Sequence, residues 1–243
     1  MFDNCLLYLD YYKQMIEELA KKIGVKFNDI DLLKQAMTHR SYLNEHRSHN
    51  LEHNERLEFL GDAVLEIVVT EYLYKNYSNQ EGELTNWRAA LVNGEMLAKI
   101  SKRLGIEEYL LMSRGETKDT GRARQYLLAN AFEAITGAIY LDQKEKGYAA
   151  CQEFIMKNVV CELPNIIENK LYMDPKSRFQ EESQDKAGVT PSYRVISESG
   201  PDHDKKFVVG VYLADEMIAK GEGQSKQEAQ RNAAEKGLEV KGW

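Results

Sequence analysis

The sequence has little of several features that would point to particular classes of protein. Its 243 residues include only three cysteines (Cys5, Cys151 and Cys161), and these lack the close spacing of zinc ligands. A disulfide framework is therefore excluded, and the chain suits a reducing compartment. None of its four prolines lies before Pro164. Charged residues interrupt every apolar run, so none approaches the roughly 18–20 residues that a membrane span needs.

The chain also lacks an excess of positive charge. It has 32 Lys and Arg against 39 Asp and Glu, a formal net charge of −7. The whole molecule therefore has no general attraction to nucleic acid. Binding to RNA or DNA would have to use a local patch, or a metal that bridges acidic residues to phosphate. The first apolar run has no basic flank, so we expect a cytoplasmic protein without a secretory signal.

Hydrophobic periodicity predicts two domains, an all-α domain over residues 1–171 and a small α+β domain over residues 172–243. The first has apolar residues at helical spacing in almost every segment. We predict helices over residues 5–23, 29–43, 54–75, 84–104, 125–142 and 148–160. The second predicts the order α-β-β-β-α, with strands near residues 193–196, 207–213 and 217–220. Ser225 and Glu228 have the spacing of a capping box before the last helix.

Acidic residues form the sharpest local pattern. Glu55, Glu58 and Asp62 share one face of the predicted helix, and Asn130 and Glu133 lie three residues apart on a largely apolar one. Such like charges repel, whereas Mg²⁺ prefers hard oxygen ligands of this kind. Gly61, in mid-helix, favours close approach of another backbone or a ligand. Spacing alone leaves two interpretations open: Glu58, Asp62 and Glu133 converge on one metal, or they form a solvated acidic face.

Motifs along nearly the whole chain resemble those of ribonuclease III, the double-stranded-RNA endonuclease. The most specific is the signature at residues 54–62 (NERLEFLGD). The other nuclease segments match in the same order: residues 38–42 (THRSY), 81–85 (EGELT), 132–134 (FEA) and 137–142 (GAIYLD). The tail resembles a double-stranded-RNA-binding domain at residues 174–177 (DPKS), 179–181 (FQE), 221–226 (GEGQSK) and 233–234 (AA).

The resemblance implies a homodimeric endoribonuclease that uses Mg²⁺, for which Mn²⁺ can substitute, and no small-molecule cofactor. It implies hydrolysis of double-stranded RNA by metal-activated water to 5′-phosphate and 3′-hydroxyl ends, in RNA processing such as that of rRNA precursors. By position, Glu55, Glu58, Asp62 and Glu133 match catalytic residues, and all of these except Glu55 match metal ligands. Glu81 matches an auxiliary acidic residue, and Phe59 matches the aromatic that inserts into the partner subunit.

Two positions depart from the family pattern. Asn130 stands where the family usually has Asp, which predicts looser Mg²⁺ binding by the set Glu58, Asp62, Asn130 and Glu133. Gln227 stands where a second Lys is common, which predicts modest RNA affinity. The residues that match RNA-contacting positions are Ser177, Gln180, Glu181, Gln184, Pro201, His203 and Lys226.

Other interpretations of the same residues compete with this one. Asn130 is the one feature that favours a non-catalytic double-stranded-RNA-binding protein on the same scaffold. A metal-dependent phosphohydrolase for small substrates fits the helices but not the α-β-β-β-α tail. His46, His49 and His53 suggest zinc, but no fourth ligand is evident, so a polar loop is the better interpretation.

Overall fold

The computed structural model describes residues 3–46, 52–118, 121–201 and 205–243, with side chains from residue 12 onward. The chain divides into two compact units. The first ends at Ile167 and the second begins at Glu168, close to the predicted boundary. No helix among the described residues is both long enough and apolar enough to cross a membrane.

The first unit is helical, as predicted. Apart from an isolated bridge between Thr38 and Leu111, its described residues form no strand pairing. Its α-helices are α1 (Asp3–Ile23), α2 (Ile30–Ala36), α3 (Arg40–Glu45), α4 (Glu55–Asn76), α5 (Glu81–Val92), α6 (Gly94–Arg103), α7 (Arg114–Thr117), α8 (Arg122–Asp142), α9 (Gly147–Asn158) and α10 (Leu163–Glu168). Short 3₁₀ helices lie at Ile106–Tyr109, Lys144–Lys146 and Val160–Glu162.

In the structure, two of the predicted helices are each divided into two separate helices. The predicted helix over residues 29–43 is divided between α2 and α3, because the His39 side chain accepts a hydrogen bond from the Ser41 backbone and caps a new helix. The predicted helix over residues 84–104 is divided at Asn93, whose side-chain oxygen accepts from the Met96 backbone N–H at 2.9 Å. Apolar periodicity runs across both caps, so periodicity alone does not reveal them.

Helices α4 and α8 form the most extensive helix pair of the first unit. α8 is buried along most of its length, which includes Phe132 and Ile135, and α4 contributes Leu57, Val64 and Leu65. The pair is close enough for backbone contact, because each helix has a glycine where it meets the other. This packing fixes the relative positions of the acidic residues on the two helices.

The second unit has the predicted order α-β-β-β-α. It consists of α11 (Pro175–Ala187), β1 (Pro191–Ser199), β2 (Lys206–Leu213), β3 (Glu216–Gly223) and α12 (Lys226–Lys241). The strands form an antiparallel sheet in the order β1-β2-β3. The helices cover one face of it, around an apolar core that consists of Phe179, Val211, Leu213, Ala233, Ala234 and Leu238.

The capping interaction before α12 is present. The Ser225 hydroxyl accepts from the Glu228 backbone N–H at 3.1 Å. The Glu228 carboxylate accepts from the Gln224 backbone N–H at 2.8 Å, one residue before the cap itself. Two donors at this helix start are thus satisfied by side chains, which fixes where α12 begins.

Candidate metal and catalytic site

Glycines bring the two acidic helices into backbone contact. A Cβ atom at Gly61 would lie 1.7 Å from the carbonyl oxygen of Glu133, and one at Gly137 would lie 2.2 Å from the carbonyl oxygen of Leu57. Neither distance is possible for real atoms, so only glycine allows this crossing. The sequence analysis identified Gly61 as a site of close approach but did not identify Gly137. The available signal for Gly137 was that it, too, is a glycine within a helical run (GAIYLD).

The crossing places Glu133 next to the acidic residues of α4. Burial, the charge of Asp62 and the charge of Glu58 together raise the pKa of Glu133 to about 7. A raised pKa with these causes means that the carboxylates lie close enough to repel across the two helices. A purely solvated acidic face would not produce the burial that contributes most to this shift.

Residues on both α4 and α8 influence the pKa of Glu58. Burial and the charges of Glu55 and Asp62 raise its pKa, while a hydrogen bond from the Asn130 side chain acts in the opposite direction. The Asn130 side chain therefore lies close enough to Glu58 to favour the charged form of its carboxyl group. The side-chain carbonyl oxygen of Asn130 is uncharged and can still coordinate a cation.

The donor set suits a hard divalent cation, although the side chains do not by themselves surround one. Among the residues that the structure describes, no three Asp, Glu, His or Cys side chains are arranged to hold a metal ion as they stand. Mutual repulsion opposes closer contact between the carboxylates. Mg²⁺ keeps several water ligands and is usually held through one or two carboxylates, so a looser set of oxygen donors fits it.

Glu55 lies at the edge of this cluster and is paired with basic side chains. Its carboxylate is 3.5 Å from Nη1 of Arg40 and 3.7 Å from Nδ1 of His53. Sequence reasoning missed the Arg40 pairing. His46, in contrast, stacks on Tyr42 with ring centroids 4.1 Å apart, and His49 lies outside the described residues.

Glu81 and Phe59 stand apart from the cluster in a single chain. Glu81 begins α5 and lines a groove with Tyr74 and Arg88, and it is not among the charges that shift the pKa of Glu58 or Glu133. Phe59 follows Glu58 on α4 and is 82% exposed. An aromatic ring this exposed is available for contact with another chain.

The predicted RNA-contacting residues of the second unit are exposed. One face of α11 carries Ser177, Gln180, Glu181 and Gln184, opposite the buried Phe179. Lys226 is exposed at the start of α12, and its Nζ is 5.6 Å from the centre of the Phe207 ring. Pro201 is also exposed, and His203 lies outside the described residues.

Comparison with known proteins agrees with this architecture. Residues 29–163 match the family model described as Ribonuclease-III-like, and residues 175–241 match the Double-stranded RNA binding motif. The chain is 44% identical to Ribonuclease 3 of a Nitratiruptor species, over 93% of this chain and 97% of that protein. It is 45% identical to Ribonuclease 3 of Enterococcus faecalis, over 93% and 96%.

A solved structure also matches the first unit. The nuclease domain of ribonuclease III from Campylobacter jejuni is 38% identical to this chain, with a TM-score of 0.52, and the match covers 61% of this chain and 95% of that one. A helical nuclease unit followed by a small RNA-binding unit defines the class of protein. The chain belongs to the ribonuclease III family of double-stranded-RNA endoribonucleases, as its motifs predicted.

Proposed function

We propose that the chain is a Mg²⁺-dependent endoribonuclease that hydrolyses double-stranded RNA to 5′-phosphate and 3′-hydroxyl ends. The observation that carries this proposal is that Glu133 on α8 lies near Asp62 and Glu58 on α4, where its burial and the charges of those two residues raise its pKa to about 7. In this proposal Glu58, Asp62, Asn130 and Glu133 hold the ion, and Mn²⁺ can replace Mg²⁺. The oxygen donors and the surplus negative charge support it.

The chemistry requires the ion as well as the protein. When bound in such a site, Mg²⁺ polarises a phosphoryl oxygen and lowers the pKa of a coordinated water. The Asn130 side chain favours the charged form of Glu58, and the buried walls of α4 and α8 exclude bulk water from one side of the cluster. Glu55, which lies beside Arg40 and His53, is the proposed neighbouring catalytic carboxylate.

We propose that the working form is a homodimer with one site for each RNA strand. Phe59, exposed on the same helix as the acidic cluster, is the proposed contact that inserts into the partner. A ribonuclease III nuclease-domain structure from Campylobacter jejuni has been described as flexible in a region involved in dimer formation. In a dimer, Glu81 has the proposed role of an auxiliary acidic residue of the cleft between subunits.

The second unit is proposed to contribute most of the affinity for duplex RNA. A-form RNA is recognised across its minor groove through 2′-hydroxyls, with phosphate contacts between grooves. Exposed Ser, Gln and Glu side chains on one face of α11 suit hydroxyls, and Lys226 suits phosphate. Pro201 and His203 are the proposed contacts from the loop between β1 and β2. We place the enzyme in the cytoplasm, acting on RNA precursors such as those of rRNA.

Replacing Glu133 tests the proposal directly. Glu133→Gln keeps the shape of the side chain but removes a half-buried carboxylate that is a proposed ligand, so we expect cleavage of long duplex RNA in Mg²⁺ to fall by at least about 10²-fold while duplex binding is retained. The matched control is Glu153→Gln, an exposed glutamate on α9, which we expect to cleave normally. Unchanged cleavage by Glu133→Gln would show that the cluster is not the catalytic site.

The alternative is a non-catalytic protein that only binds double-stranded RNA. The neutral Asn130 among the acidic residues is the one observation that favours it. The same assay separates the two functions, because a binding protein retains duplex RNA with or without Mg²⁺ and produces no new 5′-phosphate ends.

A further inference from the structure

Lys176, which the motifs above do not assign to RNA, lies where α11 and α12 meet. Its Nζ donates a hydrogen bond to Oε1 of Gln230 at 2.8 Å and lies 5.3 Å from the centre of the Tyr193 ring. The side chain is half-buried, so two neighbours fix its ammonium group while solvent still reaches it. A cation held over an aromatic ring has already lost much of its side-chain freedom before a ligand arrives.

This position adjoins both elements that the proposed function assigns to RNA. On α11, Lys176 is one turn before Gln180, and residues four apart share a helix face. On α12, its partner Gln230 is one turn after Lys226 on the same face. The ammonium group of Lys176 therefore lies between the two parts of the proposed RNA-binding surface. These are the face of α11 proposed to contact 2′-hydroxyls and Lys226 of α12, which is proposed to bind phosphate.

The charge of the second unit makes this cation significant. Residues 172–243 contain 11 Lys and Arg and 13 Asp and Glu, a net charge of −2. Some of the other basic side chains there are already paired with carboxylates: Lys186 is 2.8 Å from Glu182, and Arg194 is 3.6 Å from Asp215.

Lys176 and Lys226 differ from those paired cations. In the part of the chain that the structure describes, their ammonium groups contact neutral groups, namely a glutamine oxygen and aromatic rings. Two glutamines, Gln227 and Gln230, stand on α12 close to Lys226. The first turn of α12 therefore presents a single lysine of its own, and Lys176 brings a second positive charge to the same helix at Gln230, one turn further along.

We infer that Lys176 is a phosphate-binding residue, which brings a positive charge from α11 to the neutral Gln230 of α12. The inference rests on the proposed function, in which this face binds duplex RNA. An ammonium acts on phosphate as a compact point charge and needs no bidentate geometry, so the identity of the helix that carries it is unimportant. Because the ammonium of Lys176 contacts neutral groups, no protein carboxylate has to be displaced from it when phosphate binds.

The test measures how duplex binding depends on salt. The full chain carries Glu133→Gln to prevent cleavage, and the affinity for a blunt RNA duplex is measured from about 50 to 200 mM salt. We expect Lys176→Gln to weaken binding about fivefold at physiological salt and to reduce the log–log salt slope by about 1. The matched control is Lys186→Gln on the same helix, whose Nζ is 5.7 Å from the Trp243 ring but is paired with Glu182. We expect its slope to be unchanged.

A second variant separates charge from packing. If Lys176 acts through its charge, adding Gln230→Lys to Lys176→Gln restores the salt slope and brings affinity within about twofold of the parent, because it returns an ammonium to the same place. If Lys176 only braces α11 against α12, thermal stability falls and Gln230→Lys restores nothing. An unchanged slope in Lys176→Gln, or no recovery in the double variant, would overturn the inference. Failure of the parent chain to bind the duplex at all would instead refute the proposed function.

Discussion

Among single residues, Asn130 has the most direct bearing on metal affinity. It lies beside Glu58 and favours the charged form of that carboxyl, which partly offsets the burial and repulsion that raise its pKa. A carboxylate at this position would add a negative charge to the proposed metal set. It would also lose the donor that now stabilises the charged form of Glu58. The first effect governs cation affinity, and the second governs how readily Glu58 becomes charged.

We therefore expect Asn130→Asp to tighten Mg²⁺ binding. The Mg²⁺ concentration for half-maximal cleavage should fall about 10-fold, a change of about 1.4 kcal/mol, because one more anion faces the ion. Cleavage rates measured over a Mg²⁺ titration check this, with Asn165→Asp on α10 as a control that adds the same charge elsewhere. An unchanged half-maximal concentration would mean that Asn130 does not face the ion.

At the scale of elements, an ion pair between Glu182 and Lys170 connects α11 to the segment that precedes it. The Glu182 carboxylate accepts from Lys186 at 2.8 Å and from Lys170 at 2.9 Å, and these hydrogen bonds lower the pKa of Glu182 to about 2. Because the folded pKa lies below the usual value, the stabilisation is complete above about pH 4.5. It is lost as the pH falls toward 2.

Glu182→Gln should therefore lower the free energy of unfolding of the second unit by about 1 kcal/mol at pH 7, since partly exposed ion pairs contribute at most about that much. The difference should vanish near pH 2. Urea denaturation followed by Trp243 fluorescence, in a Trp87→Phe background that leaves one tryptophan, measures it. Asp185→Asn, a neighbouring exposed acid, serves as the control, and an equal loss at pH 2 would contradict the ion-pair origin.

The elements also show what the sequence can predict. Periodicity located α4, α8 and the α-β-β-β-α order, since these depend on which side chains must be buried. It missed the breaks at His39 and Asn93, because a cap is decided by one local hydrogen bond. The mid-helix Gly61 indicated close approach, and the acidic pattern suggested the helix of Glu133 as its partner, but the matching Gly137 depends on tertiary packing. Likewise, the contact of Lys176 with Gln230 joins residues 54 positions apart, which no local pattern reveals.

At the scale of the whole molecule, the proposed reaction depends on assembly. Within one chain, Glu81 does not contribute to the charges around Glu133, while Phe59 is 82% exposed beside Glu58. Cutting both strands of a duplex needs two sites, and a single chain offers one cluster of this kind among its described residues. Dimerisation through the α4 surface would cover the exposed ring and bring a second cluster to the same substrate.

Phe59→Ala tests this dependence. A buried aromatic anchor at the centre of an interface typically contributes about 2–4 kcal/mol, so we expect the dimer dissociation constant to rise at least about 30-fold. Sedimentation velocity over a range of concentrations measures it. Cleavage should fall in dilute solution and recover at high protein concentration, because assembly rather than chemistry has been weakened. Val240→Ala removes another exposed apolar side chain, 66% exposed on α12, and should change neither property. A parent chain that remains monomeric while cutting both strands would show that one chain suffices.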